Sequence, residues 1–193
     1  MRRSALVPKD MRELIRLYTQ IALLRRGPQD LPASALLLAL TISGYVAISL
    51  LMNGLAPPPG PVTKATEAET HSFPAQLLLD TAFTLAWYVV LLRLARRPER
   101  TLQTSTAVFG FKIVVTPLLF SAGWLWLRFS PDQTWAVPTE LFEMIVVVWM
   151  IAANSFIVKS ALELSVGASV ALVILEILAS VLLIRAVFPP LQG

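Results

Sequence analysis

Six polar side chains lie inside or at the edge of apolar runs in this chain, and their types could do chemistry: Asp80, Lys112, Glu140, Glu143, Asn154 and Glu176. Lys112 stands in STAVFGFKIVVTPLLFSAGWLWLRF, residues 105 to 129, and Glu176 is almost central in the run from Val166 to Val187. A charge at mid-bilayer costs about 2.5–3.5 kcal/mol on insertion scales, so each needs a partner or water. Three outcomes are open for Lys112 and Glu176. They form a buried ion pair that joins three helices, with Asn154 and Ser155 bonded nearby. They line a proton or ion path. Or Lys112 snorkels to headgroups and leaves Glu176 protonated. Asp80, Glu140 and Glu143 make a second, acidic group near the opposite interface, with Arg128 the nearest cation. Paired carboxylates do acid–base work or hold a cation. Glu140 also has an ordinary role, complementing the dipole in the first turn of its helix.

The elements that must position these residues are membrane helices. Of the 193 residues 56% are hydrophobic and only 15% charged, where soluble domains carry about 25% charged residues. The spacing predicts an all-α, polytopic membrane bundle of five spans, at about 33–56, 74–94, 105–128, 138–158 and 166–187. A head of residues 1–32 precedes it and a short tail of residues 189–193 follows. From Pro8 to Arg26 the head reads as an amphipathic interfacial helix. Met11, Leu14, Ile15, Tyr18, Ile21 and Ala22 recur on one face, while Arg12, Arg16, Arg25 and Arg26 are placed to meet lipid headgroups. Its basic region and the apolar run behind it are too long for a secretory signal, so the first span is expected to stay uncleaved. The loop from Pro57 to Phe73 opens with PPPGP and is expected to be a flexible extramembrane connector. Pro117 should bend the third span, with Thr116 or a neighbouring helix satisfying the freed carbonyl.

Basic residues lie unevenly on alternate sides. Twelve fall with the head, the Arg93–Arg100 connector and Lys159, against three (Lys64, Arg128, Arg185) on the other side, which predicts a cytosolic N-terminus and a periplasmic C-terminus. The same distribution makes a lipid bilayer the partner of these charges and a nucleic acid the wrong inference.

Several chemistries find no residues to carry them. The chain has no cysteine, and its single histidine, His71, falls in the polar loop, so neither a thiolate nor a metal site is expected. There is no Gly-rich phosphate loop, HExxH or GxSxG, and no histidine lies in a span, so neither catalysis nor a cofactor is expected.

The segment IALLRRGPQDLPAS, residues 21–34, resembles the stretch that leads into the first span in small bacterial members of the Yip1 family. The layout of five closely packed spans with short connectors is similar to that family as well. The resemblance implies an integral-membrane scaffold or adaptor, a type associated in eukaryotes with vesicle trafficking and Rab-type GTPases, with no catalytic residues to carry over. The expected activity is therefore that of a non-enzymatic bacterial inner-membrane protein working through contacts with membrane proteins, lipid or further copies of itself. The alternative is a small oligomeric channel or transporter using Lys112 and Glu176.

Overall fold

The computed structural model describes residues 20, 27–55, 64–129 and 133–189. Five long helices lie among the described residues: α1 (Ala35–Leu55), α2 (Lys64–Leu94), α3 (Thr101–Phe129), α4 (Gln133–Leu162) and α5 (Val166–Val187). Short 3-10 turns at Pro28–Asp30 and Pro98–Arg100 precede α1 and α3, and no strand occurs among the described residues. Each of the five contains a segment long and apolar enough to cross a membrane. The expected amphipathic helix of residues 8–26, with Arg12, Arg16, Arg25 and Arg26, lies outside the described residues apart from Gln20.

The three middle helices run beyond their expected ends. α2 starts at Lys64 and carries Pro74 inside it, so residues 64–73 of the expected flexible connector are helical. α3 starts at Thr101, and α4 starts at Gln133 with Pro138 inside it. Hydropathy stops where polar residues begin, but intrahelical hydrogen bonding does not. The KATEAE stretch that opens α2 is made largely of good helix formers.

Two of the helices bury a stripe of mostly polar residues. α1 buries Thr41, Tyr45 and Ser49, one face at a four-residue repeat. α5 buries Ser169, Val173, Glu176 and Ser180 along a single stripe. Meanwhile Leu36 and Leu182 remain 71% and 67% exposed. Leucines turned outward while polar stripes turn inward are stable where the surrounding solvent is lipid, and there helix association rests on close packing and hydrogen bonds. This identifies a multi-pass membrane protein.

α3 is the centre of the bundle. It packs against α1, α2, α4 and both 3-10 turns. Residues 104–111 are consequently buried all the way round the helix. The segment before α1 supplies one of its covers. Leu31 is fully buried among Ala107, Val108, Phe111, Ile157 and Ala161, and Gln103 on α3 donates to its carbonyl at 2.7 Å. Pro28–Leu31 is thus a wedge closing the end of the α3–α4 pair beside the Arg93–Arg100 connector, hereafter the arginine-rich end.

Close approach of α1 to α3 depends on Gly44, where a Cβ would sit 3.2 Å from Ile113 Cδ1. Gly44→Val is expected to overpack this contact and cost about 1–3 kcal/mol. Ile113→Ala should cost less in the Gly44→Val background than in the unchanged chain, read as a coupling in a double-mutant cycle of denaturation in micelles. Strict additivity would show that the two helices do not meet there.

Candidate functional site

Several of the polar groups inside the bundle meet at one place. Asp80, Thr84 and Tyr88 are spaced i, i+4, i+8 along α2 and therefore share a face. Glu176 and Ser180 do the same on α5, Tyr45 comes from the buried face of α1, and Lys112 comes from α3. Lys112 Nζ forms an ion pair with Asp80 Oδ2 at 3.0 Å and donates to Thr84 Oγ1 at 2.9 Å. Ser180 Oγ donates to Asp80 Oδ1 at 2.6 Å, and the Tyr45 hydroxyl reaches Oδ2 at 3.4 Å. The ammonium also lies 5.2 Å from the Tyr45 ring centroid and 5.8 Å from that of Phe109, within cation–π range. Next to this node, the Tyr88 hydroxyl donates to Glu176 Oε2 at 2.6 Å.

Lys112 therefore pairs with Asp80, where the sequence suggested Glu176 or snorkelling. The reason is depth. Asp80 lies 14 residues before Leu94, Lys112 lies 14 after Pro98, and Ser180 lies 14 after Val166. At 1.5 Å per residue all three sit at one level, about 21 Å from the arginine-rich end. Starting the third span at Ser105 and the second at Pro74 placed Lys112 too near one surface and Asp80 too near the other.

The remaining expected site residues are dispersed. Glu140 is exposed and Glu143 half-buried on α4, so Asp80 leaves the acidic group proposed with them. Neither glutamate belongs to an ion pair of the described residues, nor does Arg128. Asn154 does not join Lys112 or Glu176; its Oδ1 and the Ser155 hydroxyl are buried without a hydrogen-bond partner. Thr116 donates to the carbonyl of Lys112 at 2.7 Å, one residue before the Ile113 carbonyl that Pro117 frees, and α3 stays continuous through the proline. The side chain of His71 is outside the described residues, and these contain no cluster suited to a metal ion.

Four participants were not singled out from sequence: Tyr45, Thr84, Tyr88 and Ser180. The available signal was the four-residue spacing of polar groups that begins at Asp80 on α2 and at Glu176 on α5.

A cavity of about 400 Å³ adjoins the node. Tyr45 and Asp80 stand at its inner end, and Met52, Phe73 and Ile184 lie toward the end of the bundle opposite the arginines. Both members of the ion pair keep about a fifth of their side-chain surface accessible, 20% for Lys112 and 22% for Asp80.

A second polar assembly ties the connectors at the arginine-rich end. Arg97 and Arg100 both pair with Glu163, Arg100 Nη2 at 3.0 Å, and Arg100 Nη1 also bonds the Ala161 carbonyl at 3.0 Å, capping α4. Arg96 and Glu163 hold positive φ angles of 57° and 56°. At Arg96 the backbone closes a Schellman motif, with Arg97 N–H bonded to Leu92 O and Arg96 N–H to Arg93 O. Hydrogen bonds from Arg97, then from Arg100, hold the Glu163 carboxyl down at about 2.

No protein-family model matches the chain, and neither a curated protein nor a solved structure matches it.

Asp80→Asn and Lys112→Met should each strand a charge or leave the other partner unpaired, at about 3–5 kcal/mol when the site is dry. The double change should cost less than the sum of the two in a reversible-denaturation cycle. Costs that simply add would remove the ion pair as a stabilising contact. Glu163 titrates below its ordinary 4.5, so its tie is complete above that pH and is lost as pH falls toward about 2. Acid titration of the folded chain should show the two connectors separating in this window. Glu163→Gln should remove the transition, and a transition that survives it belongs to another group.

Proposed function

We propose that this chain is a multi-pass membrane scaffold or adaptor, without catalytic activity, that works through contacts of its ends with other membrane proteins and with lipid. The observation supporting this reading is how the charges in the apolar layer are engaged. Asp80 and Lys112 are engaged with each other and with hydroxyls of the same chain, and Glu176 is engaged by Tyr88. Groups engaged in this way hold helices together.

On the positive-inside bias the arginine-rich end faces the cytosol of a bacterial inner membrane, and the C-terminus faces the periplasm. Arg93 and Arg96 are exposed there, while Glu163 holds Arg97 and Arg100 in fixed positions, so the connector offers a preset cationic surface to anionic lipid or an acidic partner. The amphipathic head would lie on the same surface. The Yip1-like stretch at residues 21–34 includes the Pro28–Leu31 wedge, which couples that head to the core of the bundle. Partners are other membrane proteins or further copies of this chain.

A channel or transporter is the second reading, favoured by the cavity that reaches Asp80. Purified protein in proteoliposomes carrying a pH dye and monovalent cations separates the two. A scaffold is expected to give no flux above empty vesicles and to yield defined crosslinked partners in native membranes. Flux that disappears in Glu176→Gln at unchanged expression would replace the scaffold with a transporter.

A further inference from the structure

We infer that the cavity beside Asp80 is a binding site for one neutral, hydroxyl-bearing apolar molecule, whose hydroxyl donates to the Asp80 carboxylate. The site is defined by three properties: its shape, its charge and its vacant hydrogen-bonding capacity.

Tyr45 and Met52 on α1 both line the cavity, and seven residues of helix separate them, so it runs about 10 Å along the bundle. Its volume of about 400 Å³ lies within the range of about 300–1,000 Å³ common for small-molecule sites. At about 30 Å³ per water-sized group it has room for about 13 such groups. Met52, Phe73, Leu77, Leu119, Phe120 and Ile184 make most of its wall; Ser49, Gln76 and Thr116 stand among them, and Tyr45 and Asp80 close the inner end. A largely apolar body with a polar group at the Asp80 end matches that wall.

Charge then selects the head. The anion at Asp80 is already matched by the cation at Lys112, 3.0 Å away. An ammonium or carboxylate added beside the pair would leave an uncompensated charge in a low-dielectric site, which is costly. A neutral head avoids this.

Hydrogen-bonding capacity selects a donor. An ionised carboxylate offers about four lone-pair sites. Lys112 and Tyr45 address Oδ2 and Ser180 addresses Oδ1, so the carboxylate keeps capacity for one more bond at Oδ1, and Asp80 lines the cavity. A hydroxyl at the end of an alkyl chain, free or carried by a neutral glyceride, meets all three conditions.

This inference is independent of the scaffold reading, since an adaptor can act with or without a bound molecule. The test uses the full chain in lipid nanodiscs with a medium-chain alcohol bearing a mid-chain diazirine, and maps the photoadducts by mass spectrometry. The expected adducts concentrate on the segments holding Met52, Phe73 and Phe120. Decanol should suppress them about tenfold better than decane, because a hydrogen bond to a charged acceptor is worth about a factor of ten or more. Decylamine and decanoate should compete no better than decane.

Met52→Trp and Ile184→Trp fill the cavity and leave the ion pair untouched. Either should remove these adducts while the chain keeps its thermal unfolding midpoint. Protection by diacylglycerol doped into the disc would assign the ligand to the membrane, and protection by added decanol alone would assign a free alcohol. Adducts spread evenly over the outward leucines would overturn the site. Equal competition by decane would overturn the Asp80 contact, and stronger competition by decylamine would overturn the neutral head.

Discussion

Lipid gives an ionised side chain no place to rest, and the ion pair between Asp80 and Lys112 is how this bundle meets that constraint. Its ligands come from α1 (Tyr45), α2 (Asp80, Thr84), α3 (Lys112) and α5 (Ser180), so one node engages four of the five helices. Each contact also fixes a rotation. Turning any of these helices by one residue, about 100°, carries its donor or acceptor off the node. α4 is attached differently, through apolar packing of Ala153, Ile157, Val158 and Ala161 in the core that holds Val108 and Phe111, and through Trp149 edge-on to Phe111 at 5.4 Å. Small residues along α4 permit that approach, which is how helices associate when tails and side chains are equally apolar.

The two ends of the bundle are built differently. At the arginine-rich end the Pro28–Leu31 wedge, the Schellman turn at Arg96 and the Arg97–Arg100–Glu163 bridge hold three connections together. Two non-glycine residues in left-handed conformations persist only where neighbours over-determine them, and here the hydrogen bonds do so. Toward the other end, residues of α1, α2, α3 and α5 line the cavity beside Asp80.

Much of this was legible in the sequence. Five apolar runs gave five helices, and the polar run at Arg93–Arg100 marked a surface. A lysine in the central span demanded a partner inside the bundle. What could not be read was which partner, because depth was measured from span ends set by hydropathy. α3 begins four residues before Ser105 and α2 begins ten before Pro74, and those offsets are enough to move Lys112 from Glu176 to Asp80. Tyr88 was equally hidden. A tyrosine in an apolar run reads as bulk, and only the lean of helical side chains toward the N-terminus lets Tyr88 and Glu176 on antiparallel helices close on each other. The wedge was read as a lead-in because Leu31 lies among polar and helix-breaking neighbours, where one leucine carries no periodicity.

The node also explains why this interior is not simply leucine. Replacing a buried ion pair with well-packed apolar residues is often neutral or even stabilising, so the pair is weak evidence of stability as such. Its distinctive contribution is specificity, and lipid sharpens the need for it. When both faces of a helix are apolar, alternative rotations differ little in energy, and α1 and α5, with exposed leucines outward, escape that degeneracy through the polar stripe each turns inward. A rotated α5 would set Ser180 and Glu176 in hydrocarbon and leave the Asp80 carboxylate and the Tyr88 hydroxyl without their partners. Several unmet polar groups would separate that state from the native one, a larger gap than leucine packing alone supplies. The same argument accounts for the cavity. A carboxylate that must be reached by donors from three neighbouring helices holds their backbones at distances set by the donors, and the apolar side chains beyond it need not then fill the space between.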